Sequence, residues 1–402
     1  MDLSIIIVNF NVKYFLEQAL YSILKSGHNL KIEIIVIDNN STDGSRKYLT
    51  PKFPTVKFIW NNHNPGFATS CNMGLDIASG ECILFLNPDT IIPEECFNKC
   101  LKFIKSKPKC GALGVKMIDG SGSFLKESKR GFPGASASFF RLSGLTFLFP
   151  KSKIISAYYA GHLSRDAVNE IDIVAGAFFM VKRSILNKTG GFDSRFFMYG
   201  EDIDLSYRIK LAGFKNYYFP EISIIHFKGE STKKSKTYNN IFYGAMHLFV
   251  NKHFKGINNL PMHIAISAGK LLSLLKLRVK TKNYSSFHIK NIAAFGNAGS
   301  FGIIEELLND STENFNLKYK IEVHSKANGS EISGSLSNKF FDSILFSEGI
   351  LSFKNIIHYM ENNPKKYLYL IHANNSSSIV YSDDKNEKGN FISEKSNHSK
   401  FQ

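Results

Sequence analysis

The sequence predicts an α/β protein with a Rossmann-like, mostly parallel sheet flanked by helices, followed by a smaller Rossmann-like module. Three observations carry this. Short apolar, β-rich runs alternate with helical patterns as far as about residue 111, the order that a parallel sheet with crossover helices imposes. An apolar content of 43% over 402 residues can fill more than one core. A second strand, glycine-rich turn and apolar helix then begin at residue 291.

Leu3-Ser4-Ile5-Ile6-Ile7-Val8 reads as the first strand, and Phe15, Leu16, Ala19, Leu20 and Ile23 follow at helical spacing. The alternation continues with a strand at 32–37, a helix opened by Ser41-Thr42-Asp43, a strand at 55–60, a helix near 67–78, a strand at 81–86 and a helix whose first turn suits Pro93. After a looser stretch the pattern returns as a strand at 172–182, a helix at 201–212 stopped by Gly213, and a strand at 220–227. The resulting division is a first domain over 1–255, a basic amphipathic linker over 256–286, a module over 287–382 and a polar, disordered tail over 383–402. In the linker Ile264, Ala268, Leu271, Leu272 and Leu275 share helical spacing, interleaved with Lys270, Lys276, Arg278, Lys280 and Lys282. Such a helix either lies on an anionic membrane surface or packs on one of the domains.

Fifty Lys and Arg against 34 Asp and Glu give a formal charge of +16, which favours a phospholipid, a phosphorylated substrate or a nucleic acid. No recognisable nucleic-acid motif supports the last, so nucleic acid is not expected as a partner. The five cysteines lie between residues 71 and 110 without CxxC spacing, and reduced thiols in a cytoplasmic location are expected. The chain runs from Met1 into an apolar strand with no basic leader, and no run of roughly 18 uncharged apolar residues is present. Neither a secretory signal nor a membrane-spanning helix is expected.

In an open parallel sheet, ligands bind beyond the carboxyl ends of the strands. Val8 runs into Asn9-Phe10-Asn11, Ile37 into Asp38-Asn39-Asn40-Ser41-Thr42-Asp43, and Leu86 into Asn87-Pro88-Asp89. Each of these is also an ordinary turn sequence. Together they set amides and carboxylates along one edge, which suits a nucleotide whose diphosphate is held by a divalent ion. Asn64–Gly74 adds glycines such as Gly66 that permit close backbone approach, and Asn72 projecting from a helix. Lys126, Lys129 and Arg130 form a basic run that is either a phosphate contact or solvated surface.

Glu201, Asp202 and Asp204 open one helix, where carboxylates also cap and favour the dipole. Asp204 and Arg208 are four apart and can pair along one face, a structural role. Glu201 and Asp202 point about 100° apart, so one alone can aim squarely at a reacting centre. In the second module, Gly296-Asn297-Ala298-Gly299-Ser300-Phe301-Gly302 has GxxGxxG rather than GxGxxG spacing, and no acidic residue follows a clear second strand. It reads as a packing module rather than a cofactor site.

These residues resemble the family 2 glycosyltransferases with a GT-A fold, and within them the rhamnosyltransferase-like branch. The likeness spans about residues 3–255 and rests on Ser4–Asn11, Ile37–Asp43, Asn64–Gly74, Phe85–Thr90, Val174–Phe179 and Phe197-Met198-Tyr199-Gly200-Glu201-Asp202-Ile203-Asp204-Leu205. Many relatives carry Asp-X-Asp where this chain has Asn87-Pro88-Asp89, a variant frequent in that branch that leaves one carboxylate fewer for a metal. The resemblance implies a nucleoside-diphosphate sugar donor bound along Asn9, Asn11, Asp38, Asn39, Asp43, Gly66, Asn72 and Asn87, with Asp38 and Asn39 on base and ribose. It implies Mg²⁺ or Mn²⁺ on Asp89, with His226 completing the metal or diphosphate site. Asp202 is the implied general base and Glu201 helps to place the acceptor. The implied activity is inverting sugar transfer, rhamnose being one candidate, to a glycan or lipid-linked acceptor in bacterial surface-polysaccharide assembly. This would take place peripherally on the inner face of the plasma membrane. The alternative is a non-catalytic nucleotide-sugar-binding or scaffold protein, which would have no chemical need for Asp89 and Asp202.

Overall fold

The computed structural model describes residues 1–132, 152–153, 156–227, 236–254, 259–279, 290–311, 315–322, 329–382 and 389–394. The first sheet opens with four parallel strands, β1 (Leu3–Asn9), β2 (Ile32–Asp38), β3 (Lys57–Trp60) and β4 (Cys82–Leu86), in the order β3-β2-β1-β4. All seven β1 residues are buried, as a central strand covered on both faces requires. Helices α1 (Lys13–Ser26), α2 (Ser45–Lys52) and α3 (Phe67–Ile77) make the crossovers.

Beyond β4 the sheet continues through β8 (Phe178–Lys182), β6 (Cys110–Ile118), β9 (Lys215–His226) and β5 (Thr90–Ile91), while β7 (Asn169–Ile171) pairs with β9. β8 runs antiparallel to both β4 and β6. Helix α4 (Cys96–Ser106) follows β5, and α5 (Arg183–Thr189) and α6 (Glu201–Leu211) follow β8.

The second sheet has the order β11-β10-β12-β13-β14-β15, formed by β10 (Lys290–Gly296), β11 (Phe315–Glu322), β12 (Ser343–Ser347), β13 (Leu368–His372), β14 (Ser378–Tyr381) and β15 (Asn390–Ser393). β10 to β13 pair in parallel, and β14 and β15 turn back antiparallel. Its helices are α9 (Ala298–Asp310), α10 (Gly329–Ser335) and α11 (Phe353–Asn362).

The two sheets share a core. Val12, Phe15, Ile91, Ile118, Ile225 and Phe227 of the first unit pack in one apolar cluster with Phe295, Phe346, Phe353, Ile356 and Met360 of the second. Around it, Gln18 Nε2 donates to the Ser378 carbonyl at 2.9 Å, and the buried Glu17 accepts from Lys52, Tyr48 and Ser378. Gly122, at φ +81°, lies against the Met360 carbonyl, where a Cβ would collide.

Several sequence boundaries move. The helix after Pro93 starts at Cys96, because Ile92-Pro93-Glu94 spend a turn joining β5 to it. Ser41-Thr42-Asp43 does not open α2. Asp43 instead accepts from the Lys13 and Ser45 amides, and Gly44 at φ +82° makes the entry. The expected strand 172–182 is shortened to β8, with β7 ending just before it, since the Ile173 amide bridges to Arg130 and Gly176 turns its amide toward Asp202.

The helix expected in the linker is present and packs on the helix before it. Helix α8 (Leu260–Val279) packs on α7 (Lys236–His253) through Tyr243, Val250, Met262 and Ile266, with Tyr243 Oη on the Gly269 carbonyl at 2.9 Å. α7 is tied to the first unit by Lys252–Asp193 and His253–Asp204 contacts. Lys280 and Lys282 lie outside the described residues. A second strand does follow the glycine-rich turn, contrary to the sequence reading. β11 is an edge strand whose alternating exposure hides it among lysines, and it ends on Glu322 opposite Gly296. The tail is not wholly disordered, for β15 extends the sheet with Ile392 buried. All five cysteines are free and buried. No described helix is long and apolar enough to cross a membrane.

Candidate active site at the strand ends

Parallel pairing of β1 and β2 sets Asn9 beside Asp38 at their carboxyl ends. Asn9 Nδ2 donates to Asp38 Oδ2 at 2.7 Å and to Ser45 at 3.1 Å, while the Ser41 amide donates to Asp38 Oδ1 at 2.7 Å. Asn9 is buried and its amide nitrogen is spent on orienting Asp38. Asn11, at φ +57°, accepts from the Thr42 amide at 2.7 Å and so links the first two strand-end loops.

Asn39 is also buried, and accepts from Ser70 Oγ at 2.6 Å and from Asn61 at 3.0 Å while donating to Asn64 at 3.2 Å. The sequence reading missed Asn61, although it directly follows the expected strand 55–60, and did not single out Ser70 within Asn64–Gly74. Gly66 has φ +91°, and a Cβ there would sit 2.6 Å from the Phe197 carbonyl. Its close approach is therefore to the segment preceding Glu201, sealed by the Phe67 amide donating to that same carbonyl at 2.7 Å. Asn72 uses both ends of its amide on Phe192, fixing α3 to the chain that leads into the same segment.

Asp89 and His226 meet because β5 and β9 pair antiparallel with Thr90 opposite His226. His226 Nε2 lies 3.3 Å from Asp89 Oδ1 and 3.2 Å from Asn87 Nδ2. Both side chains are largely buried. Among the described residues no cluster of three His, Cys, Asp or Glu forms a self-sufficient cation cage. One carboxylate and one imidazole with converging donors fit a hard divalent ion whose remaining positions are filled by phosphate oxygens and water.

The loop before β8 connects this pair to the third strand-end group. The Asn87 amide donates to the Ala177 carbonyl at 3.0 Å, and the neighbouring Gly176 amide donates to Asp202 Oδ2 at 3.0 Å. Gly200 at φ +84° leads into α6, whose first residues are Glu201 and Asp202. Asp202 forms an ion pair with Arg130. Glu201 is buried, and desolvation first and the Asp202 charge second push its carboxyl up to about 8. Asp204 is fully buried and pairs with Arg208 at 2.8 Å, with Lys252 and with His253, which hold its carboxyl below the usual range. Lys129 and Arg130 are buried rather than solvated, with Lys129 Nζ on the Ala160 and Leu163 carbonyls.

Residues 4–190 match the family described as Glycosyl transferase family 2. They belong to it. The chain is 27% identical over 241 residues to the N-acetylglucosaminyl-diphospho-decaprenol L-rhamnosyltransferase of Mycobacterium tuberculosis, covering 57% of this chain and 77% of that protein. It is 34% identical over 152 residues to the rhamnosyltransferase WbbL of Escherichia coli K12, covering 37% of this chain and 53% of WbbL. Among solved structures, residues 1–349 of Staphylococcus aureus TarS in complex with UDP-GlcNAc align with a TM-score of 0.45 at 16% identity, over 70% of this chain and 76% of that one. The mannosyltransferase PcManGT of Pyrobaculum calidifontis, in complex with GDP-Man and Mn²⁺, aligns with a TM-score of 0.43 at 15% identity, over 70% and 76%. The protein is thus a glycosyltransferase, an enzyme of glycosyl transfer in glycan biosynthesis.

Proposed function

We propose that the enzyme transfers a sugar, with inversion, from a nucleoside-diphosphate sugar to an acceptor hydroxyl at the carboxyl edge of the first sheet. The observation that carries this reading is the loop 176–177, which ties Asn87-Pro88-Asp89 on one side and Asp202 on the other. That loop supports a reading in which Asp89 is the ion-binding carboxylate and Asp202 the proton acceptor of one transfer between diphosphate and hydroxyl. Asp38, oriented by Asn9, and the Asn39–Asn64 frame face the base and ribose. Asp89 and His226 hold Mg²⁺ or Mn²⁺, which when bound offsets the charge of the leaving diphosphate. Asp202 takes the acceptor proton as the acceptor oxygen bonds to the anomeric carbon and the bond to the diphosphate oxygen breaks.

The two rhamnosyltransferases among the relatives make a deoxythymidine-diphosphate rhamnose donor the first to test, and the mycobacterial one suggests a lipid-linked acceptor. An acceptor of that kind accords with a peripheral position on an anionic membrane. Leu260, Ile264 and Leu271 are each at least 60% exposed on one face of α8 in a chain of net charge +16. Thermal-shift measurement against a panel of nucleotide sugars with Mn²⁺ or Mg²⁺ tests the donor reading, because a ligand of the native state raises its stability. Stabilisation by one nucleoside-diphosphate sugar in a metal-dependent way is expected, and indifference to the whole panel would remove the reading.

A further inference from the structure

Two adjacent carboxyls, Glu201 and Asp202, stand buried at the start of α6. A buried site resists two uncompensated negative charges, so the pair tends to hold one proton. The surroundings of the two groups differ. Asp202 pairs with Arg130 Nη2, accepts the Gly176 amide at 3.0 Å on Oδ2 and accepts the Ile203 amide at 2.8 Å on Oδ1. Among the described residues, Glu201 Oε2 is buried with no hydrogen-bond partner.

Among the described residues, the other titratable neighbours do not supply a counter-charge. Cys71 on α3 faces Glu201, and burial raises its thiol well above the ordinary range, so it is neutral. Tyr158 stands beside Arg130. Lys129 is turned away onto two backbone carbonyls. Arg130 itself is fixed at both ends. Its carbonyl accepts the Ile173 amide at 3.0 Å and its Nη2 donates to the Val174 carbonyl at 3.2 Å. The segment 173–176 therefore holds the guanidinium and the carboxylate together.

We propose that Arg130 is a positioning residue for the transfer reaction, committing the negative charge of the Glu201–Asp202 pair to Asp202 and leaving the proton on Glu201. The start of α6 then carries one proton acceptor and, beside it, one neutral carboxyl able to donate a hydrogen bond. The catalytic consequence rests on Asp202 being the base, but the charge assignment does not and is readable without turnover.

Infrared difference spectroscopy on the full chain at neutral pH distinguishes a protonated carboxyl from a carboxylate by its C=O stretch. The wild type is expected to show a buried protonated carboxyl band that Glu201→Gln removes. In Glu201→Gln/Arg130→Met a new band is expected, and adding Asp202→Asn should abolish it. In Glu201→Gln/Arg130→Lys, which keeps the cation, no band is expected. A band in Glu201→Gln alone that Asp202→Asn deletes would overturn the proposal, as would a folded Glu201→Gln/Arg130→Met protein without one. Circular dichroism establishes folding, and if the methionine variant does not fold, the Glu201→Gln and lysine arms still decide. Full turnover in Asp202→Asn with the band pattern intact would sink the base assignment and leave the charge assignment standing.

Discussion

At the carboxyl edge of the first sheet, Asn9, Asp38 and Asn87 end their strands and reach across to partners on other loops, and Asp89, His226 and Asp202 stand on the loops and strand ends they join. At the same edge of the second sheet the polar groups are spent on the module itself and on α1. Asn297 and Ser300 cap α9 reciprocally. Ser347 and His372 bond at 3.2 Å, and His372 also meets the Ser376 carbonyl at 3.1 Å. Burial lowers the His372 pKa and keeps the ring neutral. Glu348 pairs with Lys25 at 3.2 Å, and the Ala373 amide donates to Gln18 at 2.7 Å. One strand-helix topology thus serves two ends. The first sheet's edge gathers polar side chains from several loops, and most of the second sheet's edge is consumed in docking against the helix that follows Asn11.

If the second sheet is a buttress, removing residues 287–402 exposes Val12, Phe15, Ile91, Ile118, Ile225 and Phe227. Each large apolar side chain is worth roughly 1.5–3 kcal/mol on burial, so the sum rivals a whole domain's margin of about 5–15 kcal/mol. Loss of cooperative thermal unfolding by circular dichroism is the expected outcome. A truncated chain that melts cooperatively at the full-length temperature would break the comparison.

A narrower change should affect chemistry more than stability. Asp202→Asn keeps size and most capping ability but cannot accept the proton, so turnover should fall by roughly 10²–10⁴ in protein that is still folded, alongside a lower melting temperature because the buried Arg130 loses its charged partner. Full activity in that variant, with Glu201→Gln inactive, would transfer the role to Glu201.

The smallest effect is a pH dependence. Glu201 has a folded-state pKa raised from 4.5 to about 8. Its contribution to stability is fully present below the unfolded value and is lost as pH rises through the folded one. Glu201→Gln, which stays neutral, should therefore gain melting temperature relative to wild type as pH climbs from about 5 to 9. A constant difference over that range would remove the buried carboxyl from the account.

How much was legible in sequence depended on whether a contact was local. The ends at Asn9, Asp38 and Asn87 were readable because an apolar run stops abruptly at a polar residue. The Asp204–Arg208 pair was readable from helical spacing. What Asn9, Asn39 and Asn72 do was not, since a strand-end amide looks the same whether it faces a ligand or props a neighbour. The meeting of Asp89 with His226 depends on the two-residue strand Thr90–Ile91 pairing far along the chain, which no local pattern announces. Arg130 resembled surface because it sits in a basic run, and burial by the returning 173–176 segment is a tertiary effect. β11 was hidden by Lys318 and Lys320 on the exposed face of an edge strand.

We propose that the first sheet's edge is an ion-assisted diphosphate site built on Asp89 and His226. Calorimetry with a nucleoside diphosphate on the full chain tests it most directly. Binding should appear with Mn²⁺ or Mg²⁺, weaken strongly in EDTA, and weaken likewise in Asp89→Ala while the fold is retained. Undiminished affinity both in EDTA and in Asp89→Ala would contradict it.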